Sequence, residues 1–243
     1  MIRAFIFFFL MTSNLIFAQK RAFQGFLIDY SYQIPIGQLS EKFGNNSSIS
    51  INLINKKENN FFYGLDVGYI FGGNIKDSTI FSNISTENGF IIDGNGTFAN
   101  IILLQEGFSS NIFGGYALHL KKNTPTGIYF SAGLGFLQHR IRIDTKNQYI
   151  PHLDPNYKKG YDQLTNGINT NFIIDYIYFE KKNRLKIYAG FDYSLAFTKN
   201  RRAYDLTNMN ITDDNIRTDQ LSGIHIGIII PINRKNEEEF HYF

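Results

Sequence analysis

"LKIYAGFDYSLAF", residues 185 to 197, decides the fold because two unlike sequences are interleaved in it. Every second residue from the start gives Leu185, Ile187, Ala189, Phe191, Tyr193, Leu195 and Phe197; between them stand Lys186, Tyr188, Gly190, Asp192, Ser194 and Ala196. Successive side chains of a strand point to opposite sides of its sheet, so a period of two means a strand with one greasy and one polar or small face. Which face looks inward is the question the rest of the chain answers.

The same interleaving recurs. Phe26 to Ile36 alternate with Gly25, Leu27, Asp29, Ser31 and Gln33, and Phe61 to Phe71 alternate with Phe62, Gly64, Asp66, Gly68 and Ile70. Ile128 to Phe136 oppose Tyr129, Ser131, Gly133 and Gly135; Phe172 to Tyr178 oppose Asn169, Asn171, Ile173 and Asp175. Ile224 to Ile232 oppose Gly223, His225, Gly227 and Ile229, and two weaker stretches near 48–54 and 108–120 bring the expected count to eight strands. Three connections are short and polar, at 56–60, 121–127 and 180–184, while four are long, at about 38–47, 73–107, 144–165 and 199–220. That rhythm puts tight turns on one rim and large loops on the other.

Eight strands leave an interior only just wide enough for side chains to fill it. The greasy series is crowded with Phe, Tyr and Ile and the opposite one is rich in Gly, Ser and Asn, so bulk belongs on the circumference and glycine in the bore. Tyr30, Tyr32, Tyr63, Tyr69, Tyr176 and Tyr178 fall towards strand ends, where an aromatic girdle sits. The expectation is an all-β fold: a closed antiparallel up-and-down transmembrane β-barrel of eight strands, with short periplasmic turns and long extracellular loops.

The first 18 residues have Arg3, an apolar run from Ala4 to Met11 and Ala18 before Gln19, the layout of a cleavable secretory signal too short to span a bilayer. The expected organisation is a signal peptide at 1–18, a barrel at 19–233 and a charged periplasmic tail at 234–243. The chain carries 24 Lys and Arg against 21 Asp and Glu, a net charge of +3 that favours no nucleic-acid partner. It has no cysteine, which removes thiol and Cys-metal chemistry.

With this layout the chain resembles the small eight-stranded outer-membrane barrels grouped with the OmpA-like and porin-family barrels of Gram-negative bacteria. The "FAQ" cleavage region and "PHLDPNYKKGYDQLTNG" at 151–167 resemble the barrels of gliding, type nine secreting bacteria. The resemblance covers almost all of the chain after the leader and implies location in the outer membrane, contact with its lipid, and secretion or envelope proteins as partners. It implies no activity and no oligomeric state. The tail departs from it: Phe243 supplies a terminal aromatic, but "RKNEEEFHYF" puts three glutamates just upstream.

Motifs for chemistry are few, and no cofactor or metal is expected. "GLGFLQ" (133–138) lacks the third glycine of a dinucleotide loop and sits within a strand. "DGNG" (93–96) reads as a turn, and "TDDNIRTD" (212–219) lacks the glycine and final glutamate of a calcium loop, so it reads as solvated loop. Asp29, Asp66, Asp192, Ser194 and His225 are expected to form a polar network in the bore, with His225 paired to Asp29 or Asp192. They contain the residue types of a serine hydrolase, but such a triad also needs serine–histidine contact, an oxyanion hole and room for substrate. His139 and His152 show no carboxylate or serine partnership in the sequence. Lys158, Lys159, Arg201, Arg202 and Tyr204 form a candidate loop contact patch, suited to lipopolysaccharide phosphates. The expected role is non-catalytic, a structural or accessory subunit of an envelope complex; the rival roles are a narrow pore for small solutes and an outer-membrane lipid hydrolase or protease.

Overall fold

The computed structural model describes residues 22–121, 124–180, 186–212 and 215–232. The leader up to Ala18, most of the 180–184 turn and the tail lie outside these residues. In chain order the elements are β1 (Phe23–Gly37), α1 (Gln38–Lys42), β2 (Asn46–Lys56), β3 (Phe61–Gly72), β4 (Ile102–His119), β5 (Gly127–Asp144), α2 (Pro155–Tyr161), β6 (Thr165–Phe179) and β7 (Lys186–Asn200), then a small hairpin of β8 (Tyr204–Asp205) and β9 (Asn210–Ile211), and β10 (Arg217–Pro231). Eight strands form one closed barrel, each antiparallel to its neighbours, and β10 closes it by pairing with both β7 and β1. No described helix is long and apolar enough to cross a membrane.

Side-chain direction follows the sequence braid, with the greasy face outside. Phe191 stands opposite Ile174 on one side and Ile224 on the other, and all three are exposed. Neighbouring positions of β10 differ sharply: Ile224 is 69% exposed and His225 6%. Outward Phe, Tyr, Leu and Ile side chains girdle the barrel, far more contiguous apolar surface than a water-soluble monomer presents. Lipid is the solvent that makes such a wall stable.

The bore has three layers. Leu27, Ile54, Phe62, Phe113, Tyr129 and Ile177 fill it near the short turns. At the long-loop rim Ile70, Leu137, Ile141 and Leu221 pack with loop residues Leu39, Phe43, Ile80, Ile150, Leu153 and Tyr161, so the loops fold down as a cap. Backbone bonds tie that cap together: Gly44 N–H donates to Asn74 O at 2.8 Å and Leu206 N–H to Gly160 O at 2.9 Å. Polar side chains occupy the middle.

Strands β4 and β10 begin several residues earlier than the sequence pattern suggests, inside stretches expected to be loop. In β10 the early outward positions, Thr218, Gln220 and Ser222, are polar, and in β4 Glu106 interrupts the outward series of Ile102, Leu104 and Phe108. Along β5 the outward series runs Leu134, Phe136, Gln138, Arg140, Arg142, while the inward series turns greasy at Leu137, Ile141 and Ile143. Past the apolar belt β5 is polar outside and mostly apolar inside, so outward grease marks the end of the belt and not the end of the strand.

Candidate functional site

The sheet register brings inward residues of all eight barrel strands onto one cavity of about 100 Å³. Asp29, Asp66, Asp192, Ser194 and His225 all line it, together with Asp175. Its lining reaches into both apolar layers, at Leu27, Phe62 and Tyr129 on one side and Ile70, Leu137 and Leu221 on the other.

His225 is held from both sides. Its Nδ1 lies 3.0 Å from Asp192 Oδ1 and its Nε2 2.6 Å from Asp175 Oδ1. Of the two partners expected, Asp192 is bonded and Asp29 is not; the second place belongs to Asp175. Asp29 instead accepts from Tyr188 Oη at 2.7 Å and Asn52 Nδ2 at 2.9 Å. Asp66 accepts from Asn111 Nδ2 at 2.8 Å, Asn111 Oδ1 accepts from Asn169 Nδ2 at 2.9 Å, and Asn169 Oδ1 accepts from Ser194 Oγ at 2.5 Å. Buried polar groups need such partners.

Glycines make the space. A Cβ at Gly190 would stand 2.1 Å from Asp175 Oδ1, and one at Gly223 2.6 Å from Asp192 Oδ2. These bore glycines serve side chains reaching across from neighbouring strands.

The hydrolase geometry is not assembled. Ser31 Oγ donates to Asp192 at 3.1 Å, Ser194 is bonded to Asn169, and among the described residues no serine hydroxyl bonds His225. A nucleophile must touch its base.

A second histidine cluster lies nearer the long loops and corrects two readings of the sequence. His139 Nε2 lies 2.8 Å from Asp219 Oδ2, which also accepts from Thr198 Oγ1 at 2.5 Å. His139 therefore has a carboxylate partner, and Asp219 is a buried strand residue, not part of a solvated loop. Thr198 bonds the carboxylate and not the imidazole, so this trio too lacks an activated nucleophile. Beside it, under α1, is a cavity of about 200 Å³ lined by Lys42, Arg217, Glu41 and Gln163. Burial, helped by the Arg217 charge, lowers the Lys42 ammonium below the ordinary lysine value, and its Nζ donates to Gln163 at 2.6 Å. "DGNG" is a turn: Asp93 Oδ1 accepts from the N–H of Thr97 at 2.8 Å and of Asn95 at 2.9 Å.

The candidate patch sits on the outside of the long-loop rim. Arg202 grips Asp162 with two guanidinium nitrogens, and that hydrogen-bonded carboxylate raises the Arg202 value. Arg201 Nε donates to Asn166 Oδ1 at 2.6 Å, Lys158 Nζ lies 3.4 Å from Thr145 Oγ1, and Lys159 and Tyr204 are exposed. Two cations missing from the sequence reading, Arg140 and Arg142, share a cleft with Lys158, Lys159 and Arg202. Their signal was present: arginines two apart, continuing the outward series of β5.

No protein-family model matches the chain, and no curated protein matches it either. Among solved structures it is similar to neisserial surface protein A, with 10% identity and a TM-score of 0.44 over 86% of this chain and 97% of that one. It is also similar to Ail, the attachment invasion locus protein of Yersinia pestis, with 6% identity and a TM-score of 0.42 over 86% of this chain and 99% of that one. Neither likeness bears on activity.

Proposed function

We propose that the chain is a non-catalytic outer-membrane β-barrel that acts as a structural or accessory subunit of an envelope complex. The observation that carries this reading is the filled bore: apolar layers near both rims flank a cavity of about 100 Å³ in which His225 and the carboxylates of Asp29, Asp66, Asp175 and Asp192 are hydrogen-bonded. Among the described residues no serine hydroxyl bonds His225, and the packed side chains argue against a solute path. What remains available is the outside. The cap leaves Phe90, Phe98, Met209 and Ile211 exposed beyond the belt, and the folded loops give a partner an ordered surface. A host complex for secretion or barrel assembly, in a type nine secreting bacterium, follows from the sequence resemblance by analogy.

Reconstituted in planar bilayers, the barrel is expected to give no steady conductance. Resolvable unitary steps that change in Asp66→Asn would move the assignment to a pore. The accessory role itself is tested by native migration of the detergent-extracted protein and by deletion: a lone monomer whose loss leaves secretion and envelope integrity unchanged ends the proposal.

Sidedness follows from the leader and the short turns. With both termini in the periplasm, a tag inserted after Asn147 or Asn208 is expected to bind antibody on intact cells, while tags within 56–60 or 180–184 stay hidden until the membrane is permeabilised. Surface detection of the short-turn tags would reverse the orientation.

A further inference from the structure

We propose that the outer wall of the β4–β5 hairpin, together with α2 and the turn after β7, binds the phosphate of a lipid in the surrounding leaflet. The inference rests on the membrane-embedded reading and deepens it by naming a ligand class and a place.

Position is the first argument. On the outward face of β5 the apolar belt ends at Phe136, paired with Ile168 of β6, and the next outward positions are Gln138, Arg140 and Arg142. Four residues of a tilted strand climb about 10 Å along the membrane normal. The interfacial layer of a leaflet is about 5–8 Å deep, and an arginine side chain spans the difference by reaching down towards it. Tyr69 fixes the level independently. Its ring lies on the outward face of β3, and its hydroxyl donates at 3.2 Å to Glu106, the carboxylate that Arg140 Nη2 contacts at 2.7 Å. A tyrosine with an apolar body and a wet tip marks the membrane interface.

Charge is the second argument. The cleft has a volume of about 220 Å³ and is lined by Arg140, Arg142, Lys158, Lys159 and Arg202, with Asp162. Glu106 takes Arg140, Asp162 takes Arg202, and nearby Asp144 lies 3.8 Å from Lys146. Among the described residues Arg142, Lys158 and Lys159 have no ion pair. Arg142 and Lys158 reach Asp144 only at longer range, and three cations without a contact ion pair, one of them a planar guanidinium fork, suit a phosphate dianion. Arg140, which lines the cleft, lies four residues beyond Phe136 on the same outward face of β5, so a lipid whose phosphate sits in the cleft keeps its acyl chains against the belt; a free anion would gain nothing from this continuity.

The test places the purified barrel in phosphatidylcholine nanodiscs doped with phosphatidic acid and reads bound lipid by native mass spectrometry. Three cations near an anionic lipid contribute enough together that Arg142→Gln/Lys158→Gln/Lys159→Gln is expected to reduce phosphatidic acid retention by about tenfold to hundredfold. Lys57→Gln/Lys76→Gln, with the same loss of surface lysines elsewhere, is expected to leave it unchanged. Equal retention in the triple variant and the parent overturns the site, and equal loss in both variants reduces it to diffuse attraction. Displacement of the lipid by millimolar inorganic phosphate assigns the cleft to a free anion instead. A barrel that inserts into the nanodiscs without enriching phosphatidic acid overturns the lipid site alone, whereas failure of the folded parent to insert overturns the membrane reading with it.

Discussion

His225→Leu is expected to destabilise the barrel by about 3–5 kcal/mol, the usual cost of removing one partner from a buried ion-paired group. The imidazole is the shared partner of Asp175 and Asp192, at 2.6 Å and 3.0 Å, and its side chain is 6% exposed. Leucine leaves both carboxylates facing an apolar side chain, with Ser31 the remaining side-chain partner of Asp192. Urea unfolding in detergent micelles, followed by heat-modifiable gel migration, measures the loss. The companion variant His225→Leu/Asp175→Asn/Asp192→Asn removes the groups that need a partner, so much of the stability should return. A triple variant as unstable as the single one would show that His225 matters by shape alone.

Phe191→Arg is expected to cost about 2–4 kcal/mol, because a cation on the lipid face near the bilayer midplane has no water. Phe191 sits beside Ile174 and Ile224, within the belt. Its neighbour Asp192 points the other way and accepts from Ser31 and His225. Cysteine substitution at each position with a lipid-soluble maleimide gives the direct comparison: reaction at 191, protection at 192. Equal labelling at the two positions would dismiss the orientation of the whole wall.

Strand identity, loop rhythm and the outward direction of the greasy series were legible in the sequence because they depend on local alternation and on volume. A bore of eight strands takes a few bulky side chains, such as Phe62 and Phe113, only where small neighbours such as Gly64 and Gly115 leave room, so a long unbroken series of Phe, Tyr and Ile has to face out. Pairings across the bore were less legible. Whether His225 reaches Asp29 or Asp175 depends on strand tilt and stagger, which a period of two does not encode; Asp175 was visible on the polar face of its strand but had no reason to be preferred. His139 and Asp219 were hidden for another reason. Both lie where the pattern inverts, so one was passed over as solitary and the other assigned to a loop. Arg140 and Arg142 share that cause, since outward polar residues signal the end of a strand only if the membrane and the strand end together, and here the strand continues.

The strand that closes the barrel carries His225, and it follows the other seven barrel strands in sequence. The carboxylates of β1, β6 and β7 therefore all stand upstream of the residue that joins two of them. An open sheet can leave Asp175 and Asp192 in water; a closed one cannot. Seating β10 between β7 and β1 therefore seals the wall and delivers the imidazole in the same event.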